Sequence, residues 1–430
     1  MVGARESAFA VLQKMERDHA YSTVVLRSYF SKNEMSAQDI QLTSALVLGV
    51  TEQKIALDYF LSRHLSQPLK KLKPQVLTIL RIGACQILFM DKIPVSAAVN
   101  EAVKSTKKNG CAFASGLVNA VLRKVAADGL VYPETDDPIY NASIRYSCPE
   151  WLVRHYVQSY GTDRAVSVLD SFALSKPLYI SVNTNRITLD ALINSLAQAG
   201  VTAEKLPDLP AGLKLVNTGD VTLLPGFSEG FFHVQDYSSQ LCCRYLDAKP
   251  GDFMVDTCAA PGGKSFTSAY HMQDKGRILS CDVHPFKTEI ISESAKRLQL
   301  KSIETVCLDA RLLKNTVHDA DCVLCDVPCS GLGVIGRKPE IRYKDKAEID
   351  ALPALQLEIL TACSQMVKVG GTLVYSTCTL NPAENEQVCR QFLQSNPSFA
   401  IAEPFDDQFL TVFPDGDCDG FFIAKMIRRH

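Results

Sequence analysis

From residue 250 onward, short apolar runs alternate with stretches of helical periodicity, and this alternation restricts the fold more than any other feature. The runs FMVDTCAA, RILSCDV, IETVCLDA, DCVLCDV and TLVYSTCT are each typical of a buried strand. Strands that alternate with helices along the chain predict a parallel sheet covered on both faces. We therefore expect an α/β domain over residues 236–430.

The N-terminal part of the chain has a different pattern. Across residues 1–130, apolar residues recur at spacings of three and four, including one long run over 41–65. This periodicity predicts an all-helical domain. The segment VYPETDDPIYNAS, rich in proline and acids, is predicted to be a linker. Residues 145–235 mix a helix (PEWLVRHYVQSYG) with short strands, which predicts a small α+β module.

Charge is distributed unevenly along the chain. Residues 1–130 contain 17 lysines and arginines against 10 acids, a balance of +7, whereas the remaining residues contain 28 against 37, a balance of −9. A basic segment joined to an acidic one is typical of a nucleic-acid-binding module beside an enzyme. Ordinary solvent-exposed helix faces could produce the same excess of basic residues, so charge alone does not distinguish the two interpretations.

Bulk properties indicate a cytoplasmic protein. The first residues carry charges through their only apolar run, which is unlike a signal peptide, and no apolar run approaches the roughly eighteen residues of a membrane span. The 15 cysteines are odd in number. In a long chain without a secretory signal they are expected to be reduced thiols.

The end of the first strand of the predicted sheet carries a signal for a cofactor. DTCAAPGGKS passes from a strand through a glycine-rich turn into a helix, where backbone N–H groups can contact a ligand. A phosphate-binding loop needs a glycine five residues before Gly263, and Cys258 stands there. The next two strands end on Asp282 and Asp309, which are placed for ribose hydroxyls and an adenine amino group. A nucleoside without phosphate is indicated, which suits S-adenosylmethionine.

Two further strands end on cysteine loops. LCDVPCSGLG places Asp326 and Cys329 after one strand, and YSTCTLNP places Cys378 after another. Two thiols at neighbouring strand ends indicate covalent chemistry, because a thiolate is both a good nucleophile and a good leaving group. The residues alone leave open which thiol attacks.

The cysteine spacings are not those of a complete zinc site. Cys322 and Cys325 have the spacing of a ligand pair, but residues three apart on a strand face opposite sides, and no second pair accompanies them. Pro328 and Cys329 resemble part of a zinc deaminase motif, yet Leu332 stands at the second ligand position. No metal is expected.

Together these motifs resemble those of the RNA cytosine-5 methyltransferases. DTCAAPGGK is similar to the cofactor motif of that family, DVPCSGLGV to its Asp-Pro-Cys motif and YSTCTLNPAENE to its Thr-Cys motif. The segments VNEAVK and LVNAVLRK resemble the NusB-like domain fused to one branch, the Sun/RsmB-type 16S ribosomal RNA methyltransferases. The resemblance spans nearly the whole chain. It implies an all-α NusB-like RNA-binding domain over residues 1–130, a small α+β RNA-binding module over 145–235 and a Rossmann-like class I methyltransferase domain over 236–430.

The resemblance also assigns roles to residues. It makes Cys378 the nucleophile that adds to carbon 6 of cytosine, and Cys329 the group that aids release after carbon 5 is methylated. Asp326 would stabilise the charge developing on the ring by hydrogen bonding at N3. S-adenosylmethionine would be bound by Asp282, Asp309, Asp326 and the loop residues Cys258, Ala259, Ala260, Pro261, Gly262, Gly263 and Lys264.

A basic run follows the Cys329 loop and is expected to contact RNA phosphates through Arg337, Lys338 and Arg342. Family members usually have a second basic residue after GVIG, where this sequence has Gly336. The phosphate contacts are therefore expected to be weaker or to move to Lys338 and Arg342.

The sequence thus predicts a monomeric methyltransferase that makes 5-methylcytosine in 16S ribosomal RNA, at the cytosine customarily numbered 967. Methylation of cytosine in transfer RNA or another RNA is an alternative that the motifs leave open. A non-catalytic RNA-binding assembly factor is an alternative of another class. The presence of both thiols and all the cofactor acids argues against it.

Overall fold

The computed structural model describes residues 3–405 and 408–430. The chain divides into two compact units, one formed by Met1–Asp170 with Arg337–Tyr343 and the other by Ser171–Gly336 with Lys344–His430. Among the described residues, no helix is both long and apolar enough to cross a lipid bilayer.

The first unit consists of helices, as the apolar spacing predicts. Their buried faces meet in one core that includes Leu46, Leu80 and Leu122, all fully buried. Three short 3-10 helices accompany them, at Leu69–Lys71, Ala112–Ala114 and Pro339–Tyr343. The α-helices are α1 Ala4–Asp18, α2 Ser22–Phe30, α3 Ala37–Glu52, α4 Lys54–Ser62, α5 Pro74–Phe89, α6 Val95–Lys108, α7 Ser115–Asp128, α8 Pro138–Arg145, α9 Glu150–Tyr160 and α10 Thr162–Ser171.

The predicted single helix over 41–65 is divided in the structure. Gln53, with φ −100° and ψ 14°, separates α3 from α4. The Ser147 hydroxyl accepts hydrogen bonds from the first backbone amides of α4, from Ile55 at 3.0 Å and from Ala56 at 3.3 Å. Because this cap comes from a distant part of the chain, apolar spacing could not reveal the break.

The predicted linker is wrong in its second half, where α8 begins. The Asp137 side chain accepts hydrogen bonds from the amides of Ile139 and Tyr140, and Pro138 occupies the first turn. Aspartate followed by proline is a common start of a helix. The PEWLVRHYVQSYG helix is confirmed as α9, but it lies in the first compact unit. The domain boundary at residue 145 stays a prediction.

The second unit begins with a small antiparallel sheet of order β2-β3-β1-β4. Its elements are β1 Leu178–Val182, α11 Leu189–Gln198, β2 Thr202–Leu206, β3 Leu209–Val216 and β4 Phe232–Val234. This confirms an α+β module. Strand β2 was not expected, because its TAEKL sequence is mostly exposed and lacks apolar alternation.

The remainder of the second unit forms the predicted sheet, in the order β10-β12-β9-β8-β5-β6-β7, with β11 paired to β12. Strands β5 to β9 pair in parallel, whereas β12 runs antiparallel to β9. The strands are β5 Phe253–Asp256, β6 Arg277–Asp282, β7 Ile303–Cys307, β8 Ala320–Asp326, β9 Val367–Thr377, β10 Phe399–Ile401, β11 Leu410–Val412 and β12 Phe421–Arg428. The helices are α12 Tyr237–Leu246, α13 Gly263–His271, α14 Pro285–Arg297, α15 Lys346–Asp350, α16 Leu352–Ser364 and α17 Glu386–Ser395.

Helices cover both faces of this sheet, as predicted. Residues of α12, α13 and α14 pack on one face and residues of α16 and α17 on the other, in two separate apolar cores. Cys322 belongs to the first of these cores and Cys325 to the second. The two thiols therefore face opposite sides of β8, which confirms the reason for rejecting them as a zinc pair.

Gly230→Ala should destabilise the second unit. Gly230 has a φ of +73°, and a Cβ there would lie 2.0 Å from the backbone oxygen of Arg297 at the end of α14. We expect a loss of about 2–4 kcal/mol in the free energy of unfolding, because left-handed strain adds to overpacking. Gly219→Ala is the matched control, since Gly219 has a φ of +58° with nothing within 4 Å of its Cβ. Equal losses for the two variants in chemical denaturation would contradict the prediction.

Candidate active site

The two cysteine loops lie side by side because β8 and β9 are parallel neighbours. Asp326 at the end of β8 is in register with Ser376 on β9. Beyond these residues the sulphur atoms of Cys329 and Cys378 lie 3.3 Å apart, and both side chains are half-buried. A disulfide bond is about 2.05 Å long, so the two sulphur atoms are in contact without a covalent bond between them. The structure brings together the two thiols that the sequence singled out.

The surroundings of Cys329 favour its protonated form. Hydrogen bonding to Cys378, together with burial and the nearby charge of Glu384, raises the pKa of Cys329 well above its usual range. A thiol with a raised pKa keeps its proton near neutral pH. Cys329 is therefore a thiol in contact with the sulphur of Cys378.

Asp326 forms an ion pair beside the thiols. Its Oδ2 lies 2.6 Å from Nζ of Lys264, and its Oδ1 accepts a hydrogen bond from the Ser376 hydroxyl at 2.7 Å. Burial alone would lower the pKa of Lys264, but the negative charge of Asp326 outweighs it and raises that pKa. Lys264 is therefore a charged ammonium group. Its Nζ also lies 5.3 Å from the centre of the Phe421 ring, a cation–π distance.

Glu384 joins the two cysteine loops, and its role was missed from the sequence. This fully buried carboxylate accepts hydrogen bonds from the Ser330 amide at 2.8 Å and the Ser330 hydroxyl at 2.5 Å. It also accepts from Gln356 Nε2 and Asn381 Nδ2, both at 2.9 Å. Ser330 follows Cys329, and Glu384 belongs to the loop after Cys378. One carboxylate thus holds both loops. The local sequence PAENE does not indicate that its first glutamate contacts the Cys329 loop.

A second link joins these loops to the start of β12. The amide of Gly333 donates to the Cys378 carbonyl at 3.0 Å, and the amide of Gly420 donates to the Gly333 carbonyl at 2.8 Å. A Cβ on Gly333 would lie 2.3 Å from the Gly420 oxygen. Glycine is therefore required for three backbone segments to meet at this point.

The predicted cofactor residues form the turn after β5 and the first two positions of α13. They are Cys258, Ala259, Ala260, Pro261, Gly262, Gly263 and Lys264. Gly262 has a φ of +105°, and a Cβ there would lie 2.3 Å from the Phe266 ring. The turn consequently packs tightly against its own helix. The N–H groups of a first helical turn have no partner within the helix and are available to a ligand.

Asp256, the last residue of β5, was not singled out from the sequence. Its side chain is 1% exposed, and Oδ2 accepts a hydrogen bond from the Ser265 hydroxyl at 2.7 Å. Oδ1 has no hydrogen-bond partner among the described residues. Burial raises the pKa of Asp256 to about 7. A buried acceptor without a protein partner, beside a glycine-rich turn, fits a donor group of a polar ligand.

Asp282 is the last residue of β6 and Asp309 follows β7, the neighbouring strand in the sheet. Oδ1 of Asp282 accepts from the His284 amide at 3.0 Å and lies 3.5 Å from Lys287 Nζ. Asp309 accepts from Arg311 through both oxygens, at 3.1 Å and 2.7 Å, and these hydrogen bonds lower the pKa of Asp309. Both carboxylates are where the sequence predicts them. Each also has a protein partner, which the sequence did not reveal.

His233 supports the start of α13 from the small sheet, and no sequence signal identified it. Its Nε2 lies 3.1 Å from the Gly263 carbonyl and its Nδ1 lies 3.0 Å from the Tyr270 hydroxyl. Since a carbonyl only accepts, Nε2 carries the hydrogen and Nδ1 accepts from Tyr270. Burial lowers the pKa of His233 to about 3, so the ring stays neutral and holds this geometry.

The three residues predicted to contact RNA lie in the first compact unit. Arg337 and Lys338 are exposed, whereas Arg342 is 3% exposed. The Arg342 guanidinium donates to the carbonyls of Glu52, Tyr146 and Ser147 at 3.0–3.2 Å. These contacts contradict the predicted phosphate contact of Arg342, because its hydrogen-bonding groups serve the helical core instead.

Glu384→Ala is expected to lower the free energy of unfolding by about 3–5 kcal/mol, because it leaves several buried donors without an acceptor. Glu358→Ala is the control. Glu358 is 61% exposed and pairs with Arg311, and its loss should cost less than about 1 kcal/mol. Urea denaturation measures both values, and a small loss for Glu384→Ala would show that the carboxylate does not hold the loops.

Asp256 should also make stability depend on pH. Its raised pKa means that the folded state holds a proton that the unfolded chain releases near pH 4, so stability falls as pH rises from about 4 to about 7. Asp256→Asn removes this titration, and the stability of the variant relative to the original protein should increase across that range by up to about 4 kcal/mol.

Urea denaturation at a series of pH values tests this prediction. Asp309→Asn is the control, because the lowered pKa of Asp309 confines its titration to the acid side of that range. Stability curves that run parallel for Asp256→Asn and the original protein would rule out a titrating Asp256.

Three family profiles match successive parts of the chain. The NusB family matches residues 3–127, a ferredoxin-like domain of RsmF/B-like methyltransferases matches 148–222, and 16S rRNA methyltransferase RsmB/F matches 243–427. Among solved structures, PH0851 superimposes with a TM-score of 0.82 at 24% identity over 100% of this chain and 99% of that chain, which shows the fold. A methyltransferase homolog from Pyrococcus horikoshii has a TM-score of 0.61 at 26% identity, over 68% of this chain and 100% of that one.

Two relatives can be aligned with this chain over nearly its full length. The probable ribosomal RNA small subunit methyltransferase B of Bacillus subtilis (strain 168) is 36% identical over 99% of this chain and 98% of its own. The corresponding protein of Synechocystis sp. is 35% identical over 99% of both chains. With such identity over the full length, the chain belongs to the RsmB/F family of ribosomal RNA methyltransferases, with a NusB domain, a ferredoxin-like domain and a Rossmann-like methyltransferase domain.

Proposed function

We propose that this enzyme transfers a methyl group from S-adenosylmethionine to carbon 5 of a cytosine in 16S ribosomal RNA, at the position customarily numbered 967. The reaction proceeds through a covalent bond between Cys378 and the base. The observation that carries the proposal is the 3.3 Å contact between Cys329 and Cys378 at the ends of adjacent strands. The names of the full-length relatives support ribosomal RNA as the substrate.

The first step is attack by Cys378. Its thiolate adds to carbon 6 of the ring, and the electron pair of the 5,6 double bond is displaced into the ring towards N3. Asp326, paired with Lys264 at 2.6 Å, relays a proton from the ammonium group to N3 and neutralises that charge. Carbon 5 becomes the nucleophilic carbon of an enamine.

The second step is methyl transfer to carbon 5. S-adenosylmethionine would supply an electrophilic methyl group on a sulfonium centre and would leave as S-adenosylhomocysteine. The turn from Cys258 to Lys264 would hold this cofactor, with Asp282 accepting from ribose hydroxyls and Asp309 from the adenine amino group. The unpartnered Oδ1 of Asp256 provides a further acceptor at the same strand edge.

Release depends on Cys329. Once Cys378 is bonded to the base, its sulphur no longer carries a charge, and the hydrogen bond that raised the pKa of Cys329 is lost. Cys329 then loses its proton to solvent and removes the proton from carbon 5. The electron pair of that C–H bond re-forms the 5,6 double bond and expels the Cys378 thiolate, and the proton on N3 returns through Asp326 to Lys264.

Replacing each of the two cysteines should therefore block a different step of the reaction. Cys378→Ala should form no adduct and show no methyl transfer. Cys329→Ala should accumulate protein joined to methylated RNA, seen as a slow, nuclease-sensitive band in denaturing electrophoresis. Cys307→Ala, which removes an exposed thiol, serves as the control and should behave as the unmodified enzyme. An adduct in Cys378→Ala and none in Cys329→Ala would reverse the assignment of the nucleophile.

The target nucleotide is tested separately. Bisulfite sequencing of RNA from a strain that lacks the gene should show loss of 5-methylcytosine at position 967 of 16S ribosomal RNA. Loss of 5-methylcytosine from a transfer RNA instead would leave the proposed reaction mechanism intact but would show that transfer RNA, and not 16S ribosomal RNA, is the substrate.

A further inference from the structure

Every polar group of Ser330, the residue after Cys329, has a hydrogen-bond partner. Ser330 is fully buried, and its amide and hydroxyl both donate to Glu384. The hydroxyl also lies 2.6 Å from the Thr379 hydroxyl. The Ser330 carbonyl accepts a hydrogen bond from Nζ of Lys344 at 2.8 Å. Glu384 therefore holds the amide and hydroxyl of this residue, and Lys344 holds its carbonyl.

The residue before Cys329 is also held by a side chain. Nε2 of Gln356, on α16, donates to the Pro328 carbonyl at 2.9 Å. Contacts on both sides thus restrict the backbone of Cys329. Gln356 is fully buried, whereas Lys344 is half-buried. Replacing Lys344 should therefore disturb the Cys329 loop with little loss of stability, because large losses come from fully buried groups.

The contact of Lys344 differs from that of a typical surface lysine, whose ammonium group extends into solvent. Within the described part of the chain, Lys344 forms no ion pair, and its Nζ binds a backbone carbonyl instead. The backbone beside it is fixed, because Asp345 caps α15 by accepting from the Ala347 amide. Lys346, two residues on, is exposed and pairs with Asp350 at 2.6 Å. Only the first of these two lysines reaches a proposed catalytic loop.

We propose that Lys344 is a positioning residue for the release step, because its hydrogen bond to the Ser330 carbonyl keeps the Cys329 thiol within reach of the proton on carbon 5. This inference rests on the proposed function, in which Cys329 acts only after methyl transfer. A displacement of about 1 Å at a reacting group can slow a step about a hundred-fold. The hydrogen bond of Lys344 is to the Cys329 loop, so attack by Cys378 and methyl transfer should not depend on it.

The test compares two variants at this position with a matched control. Lys344→Met keeps the length of the side chain but removes the donor, whereas Lys344→Arg keeps a charged donor. Lys346→Met is the control, because it removes one charge from an exposed lysine two residues away. The full-length enzymes are assayed with transcribed 16S ribosomal RNA and with S-adenosylmethionine labelled in its methyl group.

A defect confined to release has its own kinetic signature. In Lys344→Met, kcat should fall about ten-fold, because Cys329 is loosened but still present. The ratio kcat/KM should not change, since it reports the steps up to methyl transfer. The first turnover should be as fast as in the original enzyme, and protein joined to methylated RNA should accumulate in denaturing electrophoresis. Lys344→Arg should restore most of kcat, and Lys346→Met should behave as the original enzyme.

Two results would overturn the role of Lys344. One is a Lys344→Met enzyme with the same kcat and the same amount of adduct as Lys346→Met. The other is a lower kcat/KM without adduct, which would make Lys344 a contact for RNA phosphate. Cys329→Ala is assayed in parallel. Adduct in Cys329→Ala but none in Lys344→Met would overturn this inference alone, whereas active Cys329→Ala enzyme without adduct would overturn the proposed release mechanism as well.

Discussion

The parallel pairing of β8 with β9 is the constraint on which the proposed chemistry depends. Parallel strands end at the same edge of a sheet, so the register of Asp326 with Ser376 carries the two following loops into contact. The Cys329 and Cys378 sulphurs come within 3.3 Å only because these strands are neighbours. Neither loop could position its thiol alone, since loops without such support are mobile.

Buried charge maintains that arrangement. Glu384 is fully buried and receives donors from the Cys329 loop, from its own loop and from α16. Each donor would be costly to leave unsatisfied in a low-dielectric interior, so the carboxylate locks the two loops together. The Asp326–Lys264 pair acts in the same way between the end of β8 and the start of α13. The groups that orient the proposed reactants are thus also groups that stabilise the fold.

The small sheet contacts the turn that is proposed to bind the cofactor. His233 on β4 holds the Gly263 carbonyl at the start of α13, and Thr267 on the same helix donates to Ser181 on β1 at 2.9 Å. The α+β module therefore supports the turn from β5 into α13, and its binding of RNA stays a prediction. Its lack of motif residues is consistent with a positioning role through buried polar contacts.

The sequence by itself determined most of the elements and the positions of the candidate reactive groups. Short apolar runs between helical segments predicted β5 to β9. The acids and thiols at the ends of these strands could be identified as well, because the end of an apolar run is evident from neighbouring residues. The local signals failed at Gln53, where Ser147 caps a helix from far along the chain, and at Arg342, whose basic side chain is buried among carbonyls. Only the tertiary structure decided the sulphur–sulphur contact, the role of Glu384 and the neutral state of His233. The physical reason is that proximity, burial and pKa depend on which distant segments pack together, and no window of neighbouring residues contains that information.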